Sequence, residues 1–258
     1  MSNLIFTNAI VRTPGRSITE GLSNSITLGL PNYEQAIIQH QSYTDTLTKC
    51  GLDVHVLEPC EEYPDSTFVE DVALITPNCA IITRPGAPSR RGEVHEIEFV
   101  LKQRFNNIEA IEAPGTIDGG DIMMVGDHYY IGLSERTNLE GAKQIIKILK
   151  KYDMSGSTIS LKKVLHLKTS LSYLEKNNLV VNGEFINDSS FGQYNSIEIP
   201  EKESYAANCI WVNGSVIIPL GYPKTKQRIH NAGYAVIETD VSEFEKLDGG
   251  ISCLSLRY

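Results

Sequence analysis

The chain is poor in cysteine, and what it has is not arranged for cross-linking. Cys50, Cys60, Cys79, Cys209 and Cys253 form an odd set of five with no C-x-x-C pair among them. That pattern argues against a disulfide framework and against a zinc ribbon, both of which need paired thiols. The cysteines are expected to be free. Basic residues are short as well: 23 Lys and Arg stand against 32 Asp and Glu, a formal net charge of -9. A surface of clustered cations for nucleic acid is not expected on such a chain; an acidic field draws in cations instead. No apolar run approaches the roughly 20 residues that cross a bilayer. The N-terminal Met1-Ser-Asn-Leu-Ile-Phe-Thr-Asn also lacks the basic stretch and apolar core of a secretory leader. A cytoplasmic protein with no membrane partner is the expectation. Low-complexity tracts and obvious linkers are missing too, so residues 1–258 are read as one domain.

What is present is repetition. Apolar hairpins recur, each tied by a short polar turn: Asp71-Val-Ala-Leu-Ile-Thr before Cys79-Ala-Ile-Ile-Thr, and Asp121-Ile-Met-Met-Val before His128-Tyr-Tyr-Ile-Gly. Leu171-Ser-Tyr-Leu before Leu179-Val-Val, and Cys209-Ile-Trp-Val before Ser215-Val-Ile-Ile, repeat the pattern, with Asn213-Gly214 a strong hairpin turn. A fifth hairpin forms if Cys253-Leu-Ser-Leu-Arg pairs with the N-terminal Leu4-Ile-Phe-Thr-Asn-Ala-Ile-Val, which closes a ring through the chain ends. Copies start roughly 40 to 50 residues apart, the spacing of propeller and solenoid repeats. Residues 33–50, 93–105, 138–152 and 225–232 show helical spacing, and short strands such as Val54-His-Val-Leu, Thr158-Ile-Ser-Leu and Ala235-Val-Ile-Glu follow most of them. The predicted unit is therefore two strands, a helix and a strand. Residues 182–200, in the third unit, have no clear helix. Asp-Gly-Gly occurs twice, at 118–120 and 248–250, each time just before a hairpin strand.

The residues that can carry chemistry gather at hairpin starts. A solitary cysteine is commonly a small buried hydrophobe, and four of the five are read so. Cys253 differs, because Gly249-Gly250 opens the backbone ahead of it and it begins the closing strand. A catalytic thiol needs a proton partner. His40, His95 and His230 fall in helical stretches with polar neighbours and read as solvated, while His166, in Val164-Leu-His-Leu-Lys-Thr-Ser, sits at the start of the third hairpin. That place matches Asp118 or Asp248 in their own units, so a Cys-His pair across the ring is the reading adopted. Asp118 and Asp121 flank Gly119-Gly120, and Glu70 with Asp71 are two adjacent acids in an apolar strand. Such a pair is costly unless it faces a pocket, and the pocket suits a guanidinium. Arg84, Arg90, Arg91 and Arg136 lie in loops after hairpin strands and could grip a carboxylate.

Phe68-Val-Glu-Asp71, Thr83-Arg-Pro-Gly86 with Ser89-Arg-Arg-Gly92, Asp118-Gly-Gly-Asp121, Leu133-Ser-Glu-Arg-Thr-Asn138, His166-Leu-Lys-Thr169 and Gly249-Gly-Ile-Ser-Cys253 together resemble the dimethylarginine dimethylaminohydrolase family. The resemblance runs through nearly the whole chain. It implies an α/β fold, the five-bladed α/β propeller (pentein) of guanidine-modifying enzymes, and hydrolysis of methylated arginine to citrulline and an amine. By that resemblance Cys253 is the nucleophile, His166 the general acid and base, and Asp118 the carboxylate that orients it. Asp65, Glu70 and Asp71 then line the guanidinium end of the pocket. Arg90 and Arg136 hold the substrate α-carboxylate, and Phe68 packs beside the side chain. Leu22 lies on a mobile lid, Thr19-Glu-Gly-Leu-Ser-Asn-Ser25, and the backbone at Leu247 contacts the α-amino group. Asp248 is read as a repeat echo. No metal or organic cofactor is required, the partner is a small methylated arginine, and a homodimer fits the resemblance. Two rival readings are an arginine deiminase that releases ammonia, for whose added helical insertion the chain has no room, and a non-catalytic propeller that binds a ribosomal partner.

Overall fold

The computed structural model describes residues 5–24 and 26–258. In chain order the strands are β1 Asn8–Arg12, β2 Asp53–Leu57, β3 Ala73–Ile75, β4 Ala80–Ile82, β5 Ile108–Ala110, β6 Ile122–Val125, β7 His128–Leu133 and β8 Ser155–Ser160. They continue as β9 Leu171–Tyr173, β10 Asn178–Val181, β11 Asn195–Glu198, β12 Ile210–Val212, β13 Ser215–Pro219, β14 Ala235–Thr239 and β15 Leu256–Arg257. The helices are α1 Tyr33–Lys49, α2 Val94–Lys102, α3 Leu139–Lys151, α4 Pro223–Asn231 and α5 Ser242–Glu245.

The strands form five sheets of three, ordered β15-β1-β2, β3-β4-β5, β6-β7-β8, β9-β10-β11 and β12-β13-β14. In each the first pair is antiparallel and the second parallel. This is the expected strand-strand-helix-strand unit: a tight turn can join an antiparallel pair, while a parallel pair needs a crossover. The chain ends do share a sheet, with Ala9 opposite Arg257 and Ile10 opposite Leu256. The pairing is shorter than the sequence suggests, because the closing strand begins only at Leu256; Leu4 lies outside the described residues.

Local chemistry explains the crossovers. Asn32 caps α1 by accepting from the Gln35 N–H, and Asn138 caps α3 by accepting from the Gly141 N–H. Pro223 opens α4, where a missing N–H costs nothing. The β9-β10-β11 unit has no helix, as its sequence indicated. Two 3-10 turns, Gly183–Phe185 and Ser189–Phe191, take that place, and the buried rings of Phe185 and Phe191 pack edge to face at 6.0 Å. They fill the volume a helix face would fill. The core is correspondingly split into clusters between neighbouring units; one holds Tyr43 and Leu47 of α1 with Ile217 of β13. His40, read as solvated, is in fact only 4% exposed on α1. Burial holds its imidazole down to about 4, so it is a neutral core residue.

One feature of the repeat was not legible in advance. Each first strand is preceded by a 3-10 segment: Val69–Val72, Gly119–Asp121, Leu167–Thr169, Glu201–Ala207 and Ser252–Leu254. Neighbouring segments touch from Ser252–Leu254 through Val69–Val72, Gly119–Asp121 and Leu167–Thr169 to Glu201–Ala207. Glu70 and Asp71 therefore lie in a tight turn and not in a strand. Cys253 likewise sits in a turn closed by its own N–H donating to the Gly250 carbonyl at 3.1 Å.

Candidate active site

The ring of turns collects the polar residues that single strands could not have hidden. Leu22, Asp65, Phe68, Asp71, Arg90, Arg136, His166, Leu247 and Cys253 all border one cavity of about 130 Å³. Of the residues singled out from the sequence, Glu70, Arg84, Arg91, Asp118 and Asp121 do not. Asp118 lies fully buried behind the imidazole. Glu70 faces a separate cavity of about 140 Å³, lined by first strands of the sheets. Adjacent side chains in a tight turn diverge, which sends Asp71 to one cavity and Glu70 to the other.

His166 precedes the turn Leu167–Thr169 with extended backbone. Its Nδ1 is 3.2 Å from an Asp121 carboxylate oxygen and its Nε2 is 4.0 Å from Asp118. Burial works against a charged ring, but Asp121, then Asp71 and Asp118, outweigh it and push the imidazole up to about 9. His166 is thus an imidazolium at neutral pH. Asp121 is anchored by the Ser134 hydroxyl at 2.7 Å and the Leu167 N–H at 3.0 Å. Asp118 accepts from the Gly86 N–H at 2.8 Å, and its other oxygen has no hydrogen-bond partner among the described residues. Burial and the neighbouring Asp71 push its carboxyl up to about 6.

Asp71 is the best-held acid. It accepts from Arg90 at 2.6 Å and from the Gly120 N–H at 2.9 Å. Although burial opposes ionisation, Arg90 and His166 bring its carboxyl down to about 2. Arg90 is itself buried: its Nε and one terminal nitrogen donate to Glu93, and that terminal nitrogen also reaches the Phe68 carbonyl at 3.0 Å. Arg136 makes no side-chain hydrogen bond or salt bridge among the described residues, though its charge is felt by Asp65. The two arginines are therefore unequal. Asp71, Asp118 and His166 present donor atoms within 4.8 Å of one another, yet the Arg90 guanidinium beside Asp71 works against a cation there.

Cys253 is 9% exposed. Burial, then Glu70 and Asp71, push its thiol up to about 12, against the pull of the Gly250 N–H at 3.4 Å and of Lys168. Gly249 has a steric reason to be glycine: a Cβ there would lie 2.2 Å from the Phe68 ring. Phe68 stacks edge-on against Phe244 at 6.3 Å. Leu22, Ser23 and Asn24 line one side of the cavity. The Leu22 N–H donates to Asp65 at 3.0 Å, the Ser23 hydroxyl to the Lys246 carbonyl at 2.6 Å, and the Asn24 N–H to Asp248 at 2.6 Å. Asp248 is more than an echo of the repeat, since it holds Asn24; Ser25 of the expected lid lies outside the described residues. Asp121, Glu93 and Lys168 were given no role from sequence. The i, i+3 spacing of Glu93 from Arg90 and the second acid of Asp118-Gly-Gly-Asp121 were the available signals.

A five-bladed α/β propeller that gathers a thiol, an imidazolium and buried carboxylates where its turns converge has the architecture of guanidine-modifying hydrolases. The family model described as N,N dimethylarginine dimethylhydrolase, eukaryotic, matches residues 29–256. An N(G),N(G)-dimethylarginine dimethylaminohydrolase of Pseudomonas aeruginosa is 57% identical over 98% of this chain and 100% of its own length. The solved structure of a cysteine-to-serine variant of the Pseudomonas aeruginosa enzyme, complexed with citrulline, superposes with a TM-score of 0.97 at 56% identity, over 99% of this chain and 100% of the other. A dimethylarginine dimethylaminohydrolase histidine-to-glycine variant, as an adduct with S-methyl-L-thiocitrulline, gives the same TM-score and identity over 98% and 100%. The chain belongs to the dimethylarginine dimethylaminohydrolase family.

Proposed function

We infer that this protein hydrolyses Nω-methylated L-arginine to citrulline and methylamine or dimethylamine. The observation that carries the reading is one cavity bordered by the Cys253 thiol, the His166 imidazole and the Asp71 carboxylate. Each group suits one step. Asp71 and Asp65 attract the guanidinium, and Arg136, whose side chain has no partner among the described residues, offers a cation for the substrate α-carboxylate. Arg90, paired with Glu93 and Asp71, serves to fix the acid in place. The Leu22 segment, on one side of the cavity, restricts the entry of water.

The thiol is quiet while the cavity is empty, because its thiolate would stand among anions. An arriving guanidinium reverses that field, favours transfer of the thiol proton to water and places the central carbon against sulfur. Sulfur bonds to that carbon, the bond to the methylated nitrogen breaks, and His166 supplies the proton with which the amine departs. A thiouronium remains on Cys253. The now neutral His166 takes a proton from water as the water oxygen attacks the same carbon; the carbon–sulfur bond breaks, the hydroxyl proton passes through water to the departing sulfur, and citrulline and the thiol are left. Asp118 and Asp121 keep the ring in place throughout and favour its return to the charged form. Every step uses groups of this chain, the substrate and water.

The five cysteines are free, which suits a reducing compartment and a cytoplasmic enzyme; among the described residues no helix is long and apolar enough to cross a membrane. Assembly as a homodimer rests on the family resemblance, and light scattering decides it. The deciding assay for function is citrulline formation from arginine, its mono-, asymmetric and symmetric dimethyl forms, and agmatine. Turnover of the monomethyl and asymmetric dimethyl forms is expected. Preferential release of ammonia from arginine would overturn the reading in favour of a deiminase.

A further inference from the structure

The thiol and the imidazole arrive from opposite parts of the chain on two short turns, and something must set the distance between them. We propose that Asn208 is the positioning residue that does so. It lies between the 3-10 segment Glu201–Ala207 and β12, and is 7% exposed. Its side-chain nitrogen donates to the Lys168 carbonyl at 3.0 Å and to the Ser252 hydroxyl at 3.1 Å, and its oxygen accepts from the Ser252 N–H at 2.9 Å. Lys168 is two residues after His166, and Ser252 immediately precedes Cys253. One carboxamide thus joins the two turns through three bonds.

The connection closes on itself. The Ser252 hydroxyl donates to Glu70 at 2.7 Å, and the Lys168 ammonium reaches the other oxygen of Glu70 at 2.6 Å. Asn208, Ser252, Glu70 and Lys168 therefore form a ring of hydrogen bonds that also ties down the turn carrying Asp71. The thiol's turn presses against the carboxamide from outside the ring as well: a Cβ at Gly250 would stand 2.5 Å from the Asn208 side-chain carbon. None of these four side chains needs to touch the substrate for the ring to matter. A displacement of about 1 Å between reacting groups is worth roughly 10²-fold in rate, and bonds to a shared carboxamide are what resist it. Glu70, read from sequence as a wall of the guanidinium pocket, gains its place in this ring.

The inference rests on Cys253 and His166 being the reacting pair. Asn208→Asp keeps the shape and the acceptor for the Ser252 N–H but replaces the donor to the Lys168 carbonyl by an oxygen. Ser252→Ala opens the ring on the other side. Each variant is expected to lower kcat on asymmetric dimethylarginine by at least about tenfold with KM held within about threefold. The double variant should be about as slow as the slower single one, since both break one network. A purely structural residue would instead lower the melting temperature and leave kcat alone. A folded Asn208→Asp enzyme with kcat within about twofold of the parent overturns the proposal, as do losses that multiply in the double variant. If Asn208→Asp does not fold, Ser252→Ala decides by the same split of kcat from KM. Cys253→Ser is measured alongside: an active Cys253→Ser enzyme removes the thiol chemistry itself, whereas an inert one beside a fully active Asn208→Asp removes only the brace.

Discussion

His166 lies closer to Asp121, at 3.2 Å from Nδ1, than to Asp118, at 4.0 Å from Nε2, and Nδ1 makes no aligned hydrogen bond among the described residues. Asp121 is also the larger source of the upward shift of the imidazole. Asp121→Asn should therefore bring the His166 midpoint down towards its ordinary value and lower kcat by roughly 10²-fold, the scale of a lost general acid. Asp118→Asn should move the midpoint less. The check is the pH dependence of kcat in the two variants, with His166 titrated directly by NMR. A larger shift in Asp118→Asn would assign the orienting role to Asp118, and equal shifts would divide it between the two acids.

Cys253 is a poor nucleophile when the cavity is empty, because burial and the anions Glu70 and Asp71 push its thiol up to about 12. Alkylation of the free enzyme at neutral pH should accordingly be slow. A small guanidine that leaves room at sulfur should speed it by about tenfold or more, since each lowered unit of thiol pKa multiplies the thiolate fraction by about ten. Mass spectrometry locates the label. Cys253→Ser and His166→Gly should each abolish amine release without unfolding the protein, the His166 variant with the lower melting temperature at neutral pH. A guanidine that only slows alkylation would mean that it shields the thiol without activating it.

The repeat and its weak point were legible because strands and helices carry periodicity. The Asn-Gly turn at 213–214 and the helical spacing at 33–50 each name a single local structure, and the helix-free unit showed as missing periodicity at 182–200. A three-residue 3-10 turn has no period to read, so Cys253 and Asp71 were assigned to strands although their place at unit starts was visible. Direction was equally hidden: Glu70 and Asp71 are neighbours in sequence and face different cavities. Polar flanks made His40 look solvated because the face that α1 buries depends on packing that its own sequence does not contain. Asn208 is the sharpest case, since nothing local separates an asparagine before a strand from one that joins two distant turns.

Stability should depend on His166 in a definite pH window. Its imidazole is raised from 6.5 to about 9 on folding, so the folded state binds a proton more tightly than the unfolded chain does. The stabilisation is fully present below about pH 6.5 and is lost as pH rises through about 9. A raised midpoint of this size corresponds to an upper limit of about 3 kcal/mol. Melting temperature followed from pH 6 to 10 should fall in the parent protein and fall less in His166→Gln. Parallel curves for the two would show that other groups carry the decline.

The two arginines of the cavity should fail differently. Arg136 has no salt bridge among the described residues, so Arg136→Ala removes a ligand contact and little else. KM for methylated arginine should rise by about 10²-fold, the worth of a charge-assisted pair of hydrogen bonds, with kcat and melting temperature nearly unchanged. Arg90→Ala leaves Glu93 and Asp71 buried without their cation, a loss on the order of 3–5 kcal/mol. It should unfold the protein or leave it at a much lower melting temperature with kcat collapsed, because Asp71 is then free to protonate and turn away. Steady-state kinetics beside thermal unfolding separates the cases. An Arg90→Ala enzyme of normal stability whose only defect is a raised KM would return Arg90 to the role of carboxylate grip that its sequence position first suggested.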